Sequence, residues 1–225
     1  MKMKVFCDFD GTITLRDTTD AVLEAFASPE YRQWEVMWEK GLISGRECME
    51  RQTRLIKACP EMLRSLCRRI PIDAGIYALE SASIRTESLL VIVSDGIDFL
   101  MEEVLNIRGL KHLPHYSNRL GWDKARMPFL TFPYGDSNCR GGCGLCKCHL
   151  LKLDGFGAAP TVYIGDGLSD ICAVHRADRV FAKDRLREYC RRNHIVHEPF
   201  ATLSDVAVAL SRETSPNEFI RRRHI

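Results

Sequence analysis

Val5-Phe6-Cys7-Asp8-Phe9-Asp10-Gly11-Thr12 opens the chain with a short apolar run that stops at two carboxylates. The run has the length and texture of a buried strand. It ends on Asp8, with a second Asp two residues later and Gly11 to let the backbone turn sharply. An Asp at the carboxyl end of a strand with a second close behind it is the arrangement that a carboxylate nucleophile and a neighbouring acid/base need. The same residue types also make an ordinary strand-to-loop turn, so the pattern gains its meaning from its partners further along the chain.

Three such partners occur in order. Leu89-Leu90-Val91-Ile92-Val93 is a continuous apolar run, as expected of a buried parallel strand, and it delivers Ser94-Asp95-Gly96. Lys147 lies in a Gly- and Cys-rich stretch ahead of Leu150 and Leu151, with Lys152 close by as a competing lysine. Thr161-Val162-Tyr163-Ile164 is another strand, ending in Gly165-Asp166-Gly167-Leu168-Ser169-Asp170. In open α/β sheets ligands gather outside the carboxyl ends of strands, so these polar ends are expected to converge. Taken singly, Ser94 is a turn residue, Lys147 a cation at a helix start and Asp170 a charge favoured by a helix N-terminus. Their joint occurrence in order argues for a site.

The set resembles the four-motif signature of the haloacid dehalogenase superfamily, in its phosphatase branch. Asp8-Phe9-Asp10-Gly11-Thr12 matches the first motif, Ser94 the second, Lys147 the third, and Gly165-Asp166-Gly167 through Asp170 the fourth. The second Asp, Asp10, separates this chain from dehalogenases and transport ATPases and points to phosphate-ester hydrolysis. The resemblance implies a Rossmann-like α/β core with a parallel sheet, and an enzyme that passes a phosphoryl group to Asp8 and then hydrolyses the aspartyl phosphate. Asp10 would serve as general acid and base. Mg²⁺ would be held by Asp8, Asp166 and the backbone carbonyl of Asp10, with Asp170 ordering Lys147 or metal-bound water. Lys147 and Ser94 would hold the phosphate oxygens, with Gly11, Thr12, Asp95 and Gly96 around them. Two other readings stay open: phosphotransfer to an alcohol acceptor, and a phosphometabolite-binding regulatory protein that has lost turnover.

Between the first and second motifs the texture changes. Ala21, Val22, Ala25 and Phe26 recur at helical spacing, and Trp34, Met37 and Trp38 continue an apolar stripe that reads as core or as pocket wall. Ser44-Gly45-Arg46-Glu47 reads as a capping box opening a helix through Leu55 and Ile56, Pro60 breaks it, and Asp73 caps another helix. No good strand appears, so residues 16–84 are expected to form a small all-helical cap of the C1 type, with 1–15 and 85–225 as the core. A cap excludes water during phosphoryl transfer, and its inner face selects the leaving group. Trp38 and Arg46 are the candidates for that task. The cap and the pattern Ile70-Pro71-Ile72-Asp73 resemble the phosphoserine-phosphatase-like branch. Asp17, where phosphoserine phosphatases carry Glu, and Cys143-x2-Cys146 just before Lys147 are more similar to methionine-salvage phosphatases acting on a methylthiopentenyl phosphate and to phosphoethanolamine/phosphocholine phosphatases. A small phosphate monoester is the expected substrate.

Beyond Ser94, a helix is expected over Ile97 to Leu105, a hairpin over 115–120 and 128–132, and a short edge strand at Val180-Phe181-Ala182. Helices over Leu186 to Arg192 and Leu203 to Leu210 complete the pattern. A chain of 225 residues with 45% apolar content can fill one α/β core and a modest insertion. Thirty-two Lys and Arg against 30 Asp and Glu give no pull toward nucleic acid or membranes, and Arg221-Arg222-Arg223-His224 reads as a solvated end. With no signal-like or membrane-spanning segment, a cytoplasmic monomer or homodimer is expected. Ten cysteines then read as reduced thiols, with Cys7, Cys67 and Cys172 as small core residues. Cys139, Cys143, Cys146 and Cys148 fall within ten residues, with Gly141, Gly142 and Gly144 permitting bends and His149 as a substitute ligand. Unligated thiols are the favoured reading there and a structural Zn²⁺ the alternative.

Overall fold

In the computed structural model the residues described are 3–136, 139, 142–152 and 159–212. Gly141 and the basic stretch 221–224 lie outside them. Strand β1 (Lys4–Asp8) runs parallel between β2 (Leu89–Ile97) and β5 (Thr161–Gly165), with Lys4 level with Leu89 on one side and Thr161 on the other. Strand β3 (His115–Trp122) continues the sheet beyond β2 and carries β4 (Pro128–Thr131) antiparallel at the edge. On the other side β6 (Arg179–Ala182) follows β5, and the two-residue β7 (Glu198–Pro199) closes the order β4-β3-β2-β1-β5-β6-β7. The strand expected to be an edge at 180–182 is therefore an inner one. Glu198-Pro199 is too short and too polar to announce itself as a strand.

The chain lays strands outward from β1 to β4 and then returns to β5 on the opposite side of β1. The carboxyl end of β1 thus lies where the strand order reverses, the crevice in which open α/β sheets take ligands. Alternate residues leave the sheet on opposite faces. Val5, Cys7, Leu90, Ile92, Val162 and Ile164 enter one buried cluster, while Phe6, Val91, Val93 and Tyr163 enter the other. Burial on both faces is why these strands read as continuous apolar runs.

The insertion is helical: α1 (Thr18–Phe26), α2 (Tyr31–Glu39), α3 (Gly45–Thr53), α4 (Pro60–Cys67) and α5 (Gly75–Arg85). Asp17 caps α1 by accepting the Asp20 N–H at 2.9 Å, and Ser44 caps α3 by accepting the Glu47 N–H at 3.1 Å. The Glu47 carboxylate turns along the helix to Arg51 at 2.6 Å, the i,i+4 pair. Helix α3 stops at Thr53, short of the expected Ile56, because Ile56 forms an antiparallel bridge with Ala27. Helix α6 (Asp98–Ile107) follows β2, and α1 and α4 pack against it in the cluster that also holds Val5 and Ile92. The short α7 (Lys147–Leu150) and α8 (Ile171–Val174) flank β5 in sequence, and α9 (Asp184–Arg192) and α10 (Leu203–Ser211) are the last helices among the described residues. Helix α5 packs on α10 and β2. Asp73 joins the two helices, accepting the Gly75 N–H at 2.8 Å with one oxygen and the Leu203 N–H at 2.7 Å with the other. Among the described residues no helix is long and apolar enough to cross a membrane.

Candidate active site

Parallel register brings the carboxyl ends of β1, β2 and β5 side by side, and with them Asp8, Ser94 and Asp166. Asp8 is 3% exposed and accepts Lys147 Nζ at 2.6 Å. Lys147, 1% exposed, also donates to Asp170 Oδ1 at 2.5 Å and to Ser169 Oγ at 3.2 Å. Lys152 is exposed, so Lys147 is the lysine that the fold delivers to the site. Burial works against the Lys147 charge, but Asp170 and Asp8 outweigh it and hold the ammonium well above its ordinary pKa. Asp8 is pushed well above the usual carboxylate range, chiefly by burial and then by Asp170, with Lys147 opposing.

Asp10 is clamped on both oxygens. Oδ1 accepts the Thr18 N–H at 2.7 Å and the Thr18 hydroxyl at 2.6 Å, and Oδ2 accepts Ser94 Oγ at 3.0 Å. Burial raises its pKa against the pull of these bonds. Ser94 Oγ in turn accepts the Gly96 N–H at 2.8 Å. A Cβ on Gly96 would lie 2.6 Å from Asp10 Oδ2, so only glycine lets the carboxylate come this close. Gly11 has φ +79°, and a Cβ there would lie 2.3 Å from Asp166 Oδ2, so conformation and space both require glycine.

Asp166 accepts the Thr12 hydroxyl at 2.7 Å, and burial raises its pKa. Asp170 is fully enclosed: Oδ1 takes Lys147 and the Tyr163 hydroxyl, each at 2.5 Å, while Oδ2 takes the N–H groups of Asp166 and Gly167, each at 3.0 Å. Asp8, Asp166 and Asp170 each offer a carboxylate oxygen within 4.8 Å of the others. Such an all-oxygen set suits a hard divalent cation. The Asp10 side chain is taken up by Thr18 and Ser94, so any share of Asp10 in a metal shell falls to its backbone carbonyl.

The zinc alternative finds no support. Among the described residues the cysteines form no three-thiol group close enough to share an ion. Cys146 and Cys148 lie 3.4 Å apart, a contact between two thiols. His149, the substitute ligand, turns toward Asp136 at 3.8 Å.

Above the carboxylates lies a cavity of 330 Å³, the size of a small-metabolite site. Trp38, Cys48 and Met49 give it an apolar wall, and Asp17, Asp20 and Glu35 an acidic one. Asp20 is pushed up to about 6 by partial burial and then by Glu35. The structure places Asp95 at the cavity too, but its Oδ1 is spent on the Leu145 N–H at 2.7 Å and on Asn118 Nδ2 at 3.1 Å, bonds that fix the loop ahead of Lys147. Arg46 is not among the lining residues: its guanidinium lies over the Phe132 ring, 4.6 Å from the centroid. Sequence reasoning missed Thr18, Tyr163, Asn118 and Arg185. The last lines the cavity from α9 and pairs with Glu39 of α2 at 3.2 Å.

Residues 5–175 match the haloacid dehalogenase-like hydrolase family. The chain is 31% identical over 211 residues to a 2-hydroxy-3-keto-5-methylthiopentenyl-1-phosphate phosphatase of Brevibacillus brevis, covering 91% of this chain and 93% of that one. It is 33% identical to the phosphatase of the same name from Geobacillus kaustophilus, covering 94% and 96%. Among solved structures it is similar in fold to a phosphoserine phosphatase from T. onnurineus, with a TM-score of 0.70 at 15% identity over 94% of this chain and 96% of that one. A phospho-aspartyl intermediate analogue of phosphoserine phosphatase gives a TM-score of 0.62 at 18% identity over 84% and 90%.

Proposed function

The chain belongs to the haloacid dehalogenase-like hydrolase family, and from that premise we propose a mechanism: hydrolysis of a small phosphate monoester through an aspartyl phosphate on Asp8. The observation that carries the reading is the pairing of two differently held carboxylates. Asp8 faces Lys147, while Asp10 is turned away to Thr18 and Ser94. A carboxylate oxygen of Asp8 attacks phosphorus, and the P–O bond to the leaving alkoxide breaks. Asp10, its pKa raised by burial, gives its proton to that alkoxide and later takes one from the water that attacks the aspartyl phosphate. Lys147 offsets phosphate charge, and Asp170 and Ser169 hold it in place. Asp8, Asp166 and the backbone carbonyl of Asp10 would hold Mg²⁺, which when bound supplies further positive charge against the phosphate oxygens, while Asp170, with both oxygens already hydrogen-bonded, stays with Lys147.

Helices α1 to α4 act as the cap in this proposal, with α5 standing in the layer beside the sheet. The leaving group occupies the cavity under Trp38. The names of the relatives make a methylthiopentenyl phosphate the first ester to try, and the soft wall of Trp38, Cys48 and Met49 suits a thioether. The acidic wall of Asp20 and Glu35 favours a second reading, an aminoalkyl phosphate whose ammonium would face those carboxylates. The cytoplasm is the proposed location, since all ten cysteines are thiols.

Purified protein with Mg²⁺ is to be offered a methylthiopentenyl phosphate, phosphoethanolamine and an aryl phosphate. Inorganic phosphate should appear with no phosphorylated acceptor. A phosphorylated alcohol would replace hydrolysis by phosphotransfer, and no turnover of any ester would leave only binding. Chelation should stop turnover and Mg²⁺ restore it, with Ca²⁺ a poor substitute because its larger, looser shell holds carboxylates differently. Full activity after thorough chelation would remove the metal from the scheme. Trp38→Ala should change the ratio of kcat/KM between two dissimilar esters by on the order of tenfold. Arg46→Ala should leave that ratio unchanged, since its side chain is committed to Phe132. An unchanged ratio in folded Trp38→Ala would take the leaving group away from this wall.

A further inference from the structure

Helix α3 turns one face to the cavity: Gly45, Cys48, Met49 and Gln52 line it at the spacing of successive turns. Cys48 and Met49 make the soft wall, but Gln52 is polar. It is 6% exposed, and its Nε2 donates to the Tyr31 carbonyl at 3.3 Å. A carbonyl can only accept, so this bond fixes which end of the amide is nitrogen and which is oxygen. Among the described residues no group donates to Gln52 Oε1, which is left to the cavity.

The bond to Tyr31 does not explain why an amide stands here. Tyr31 is the first residue of α2, so its carbonyl already accepts within the helix ladder. An apolar side chain of similar length would fill the space and leave no buried acceptor without a partner. The cap adds more acceptors to the same cavity, the carboxylates of Asp20 and Glu35. What this wall lacks is a donor from the ligand.

We propose that Gln52 is a specificity-determining residue whose Oε1 accepts a hydrogen bond from the leaving group. The favoured substrate class is then a phosphate monoester whose alcohol carries a further O–H or N–H donor. This rests on the phosphatase reading of the same cavity and narrows it. A leaving group with no donor covers Oε1, takes it from water and gives it no partner, and that loss rejects the ester. A hydroxyl and an ammonium share this chemistry. The hydroxyl depends on Gln52, whereas the ammonium also meets the charges of Asp20 and Glu35.

Pairs of esters that differ in the donor test this on the full chain with Mg²⁺. Glycerol 1-phosphate is set against propyl phosphate, and phosphoethanolamine against ethyl phosphate. In one pair or both, kcat/KM should favour the donor-bearing ester by on the order of tenfold or more, the size expected when one buried acceptor is left unpaired. The pair that shows it names the donor as hydroxyl or ammonium. Gln52→Met, which conserves length and removes both polar ends, should bring that ratio down by a similar factor. A packing defect would slow both esters alike and leave the ratio in place. Should Gln52→Met not fold, Gln52→Leu is read in the same way. A parent enzyme with no preference in either pair would overturn the proposal. So would preferences that survive the substitution, which would give an ammonium to Asp20 and Glu35 instead. Kd values for the same esters, measured by calorimetry on Asp8→Asn with and without Gln52→Met, separate this inference from the reading beneath it. If the parent releases phosphate from no ester, the phosphatase reading fails, and the Kd ratios still decide the role of Gln52. Equal Kd values within each pair, or no binding of any ester, would remove that role.

Discussion

Asp8→Asn is expected to cut phosphate release by on the order of 10⁴-fold or more while the protein stays folded. The amide nearly conserves the shape of the carboxylate, and its oxygen can still accept from Lys147, which now lies 2.6 Å from Asp8 Oδ1. The substitution also removes one of the charges that crowd this point. Burial and the Asp170 charge already raise the Asp8 pKa, so a neutral side chain here relieves repulsion even as it weakens one ion pair. What the amide lacks is the nucleophilic oxygen. Parent enzyme quenched in acid during turnover should carry phosphate on the peptide containing Asp8, and the variant should carry none. Thermal unfolding followed by circular dichroism should stay close to the parent. Undiminished phosphate release by folded Asp8→Asn would sink the nucleophile assignment.

The parts of this site that sit at strand ends were legible in the sequence. Asp8, Ser94 and Asp166 each follow an apolar run buried on both faces, and such runs announce a parallel sheet whose carboxyl ends must converge. Lys147 was legible through its order in the chain, because no local pattern marks it. The groups that hold these residues in place were not. Tyr163 sits inside an apolar strand and looks like core, yet its hydroxyl reaches Asp170. Thr18 reads as the first residue of a capped helix, and its second task, clamping Asp10, depends on where α1 starts relative to β1. Asn118 reaches Asp95 from a neighbouring strand, a pairing that no spacing encodes. Arg46 went the other way: a cation in the insertion suggested ligand recognition, and the Phe132 ring claims it instead.

Lys147→Met should cost the fold about 3–5 kcal/mol, the usual result of removing one partner from a buried ion pair. Met fills much the same volume, so the loss is electrostatic rather than a cavity. Asp8 and Asp170, 3% and 0% exposed, would then face each other without the cation that now bonds both. The dependence on pH separates this cause from a packing defect. In the parent the folded pKa of Lys147 is raised above its unfolded value, so its contribution is fully present below the unfolded pKa and is lost only as pH rises through the folded one. It is therefore constant through neutrality and acid. The Asp8 pKa is raised in the folded state, so the folded protein binds more protons than the unfolded one, and stability falls as pH rises through that window. Without Lys147 opposing it, that rise grows, and the variant should lose more stability than the parent over the same window. The deficit of Lys147→Met, measured as the shift in urea midpoint at fixed slope, should accordingly shrink as pH falls from 8 toward 5. A deficit that does not change with pH would mean that the side chain matters for packing and not for its charge.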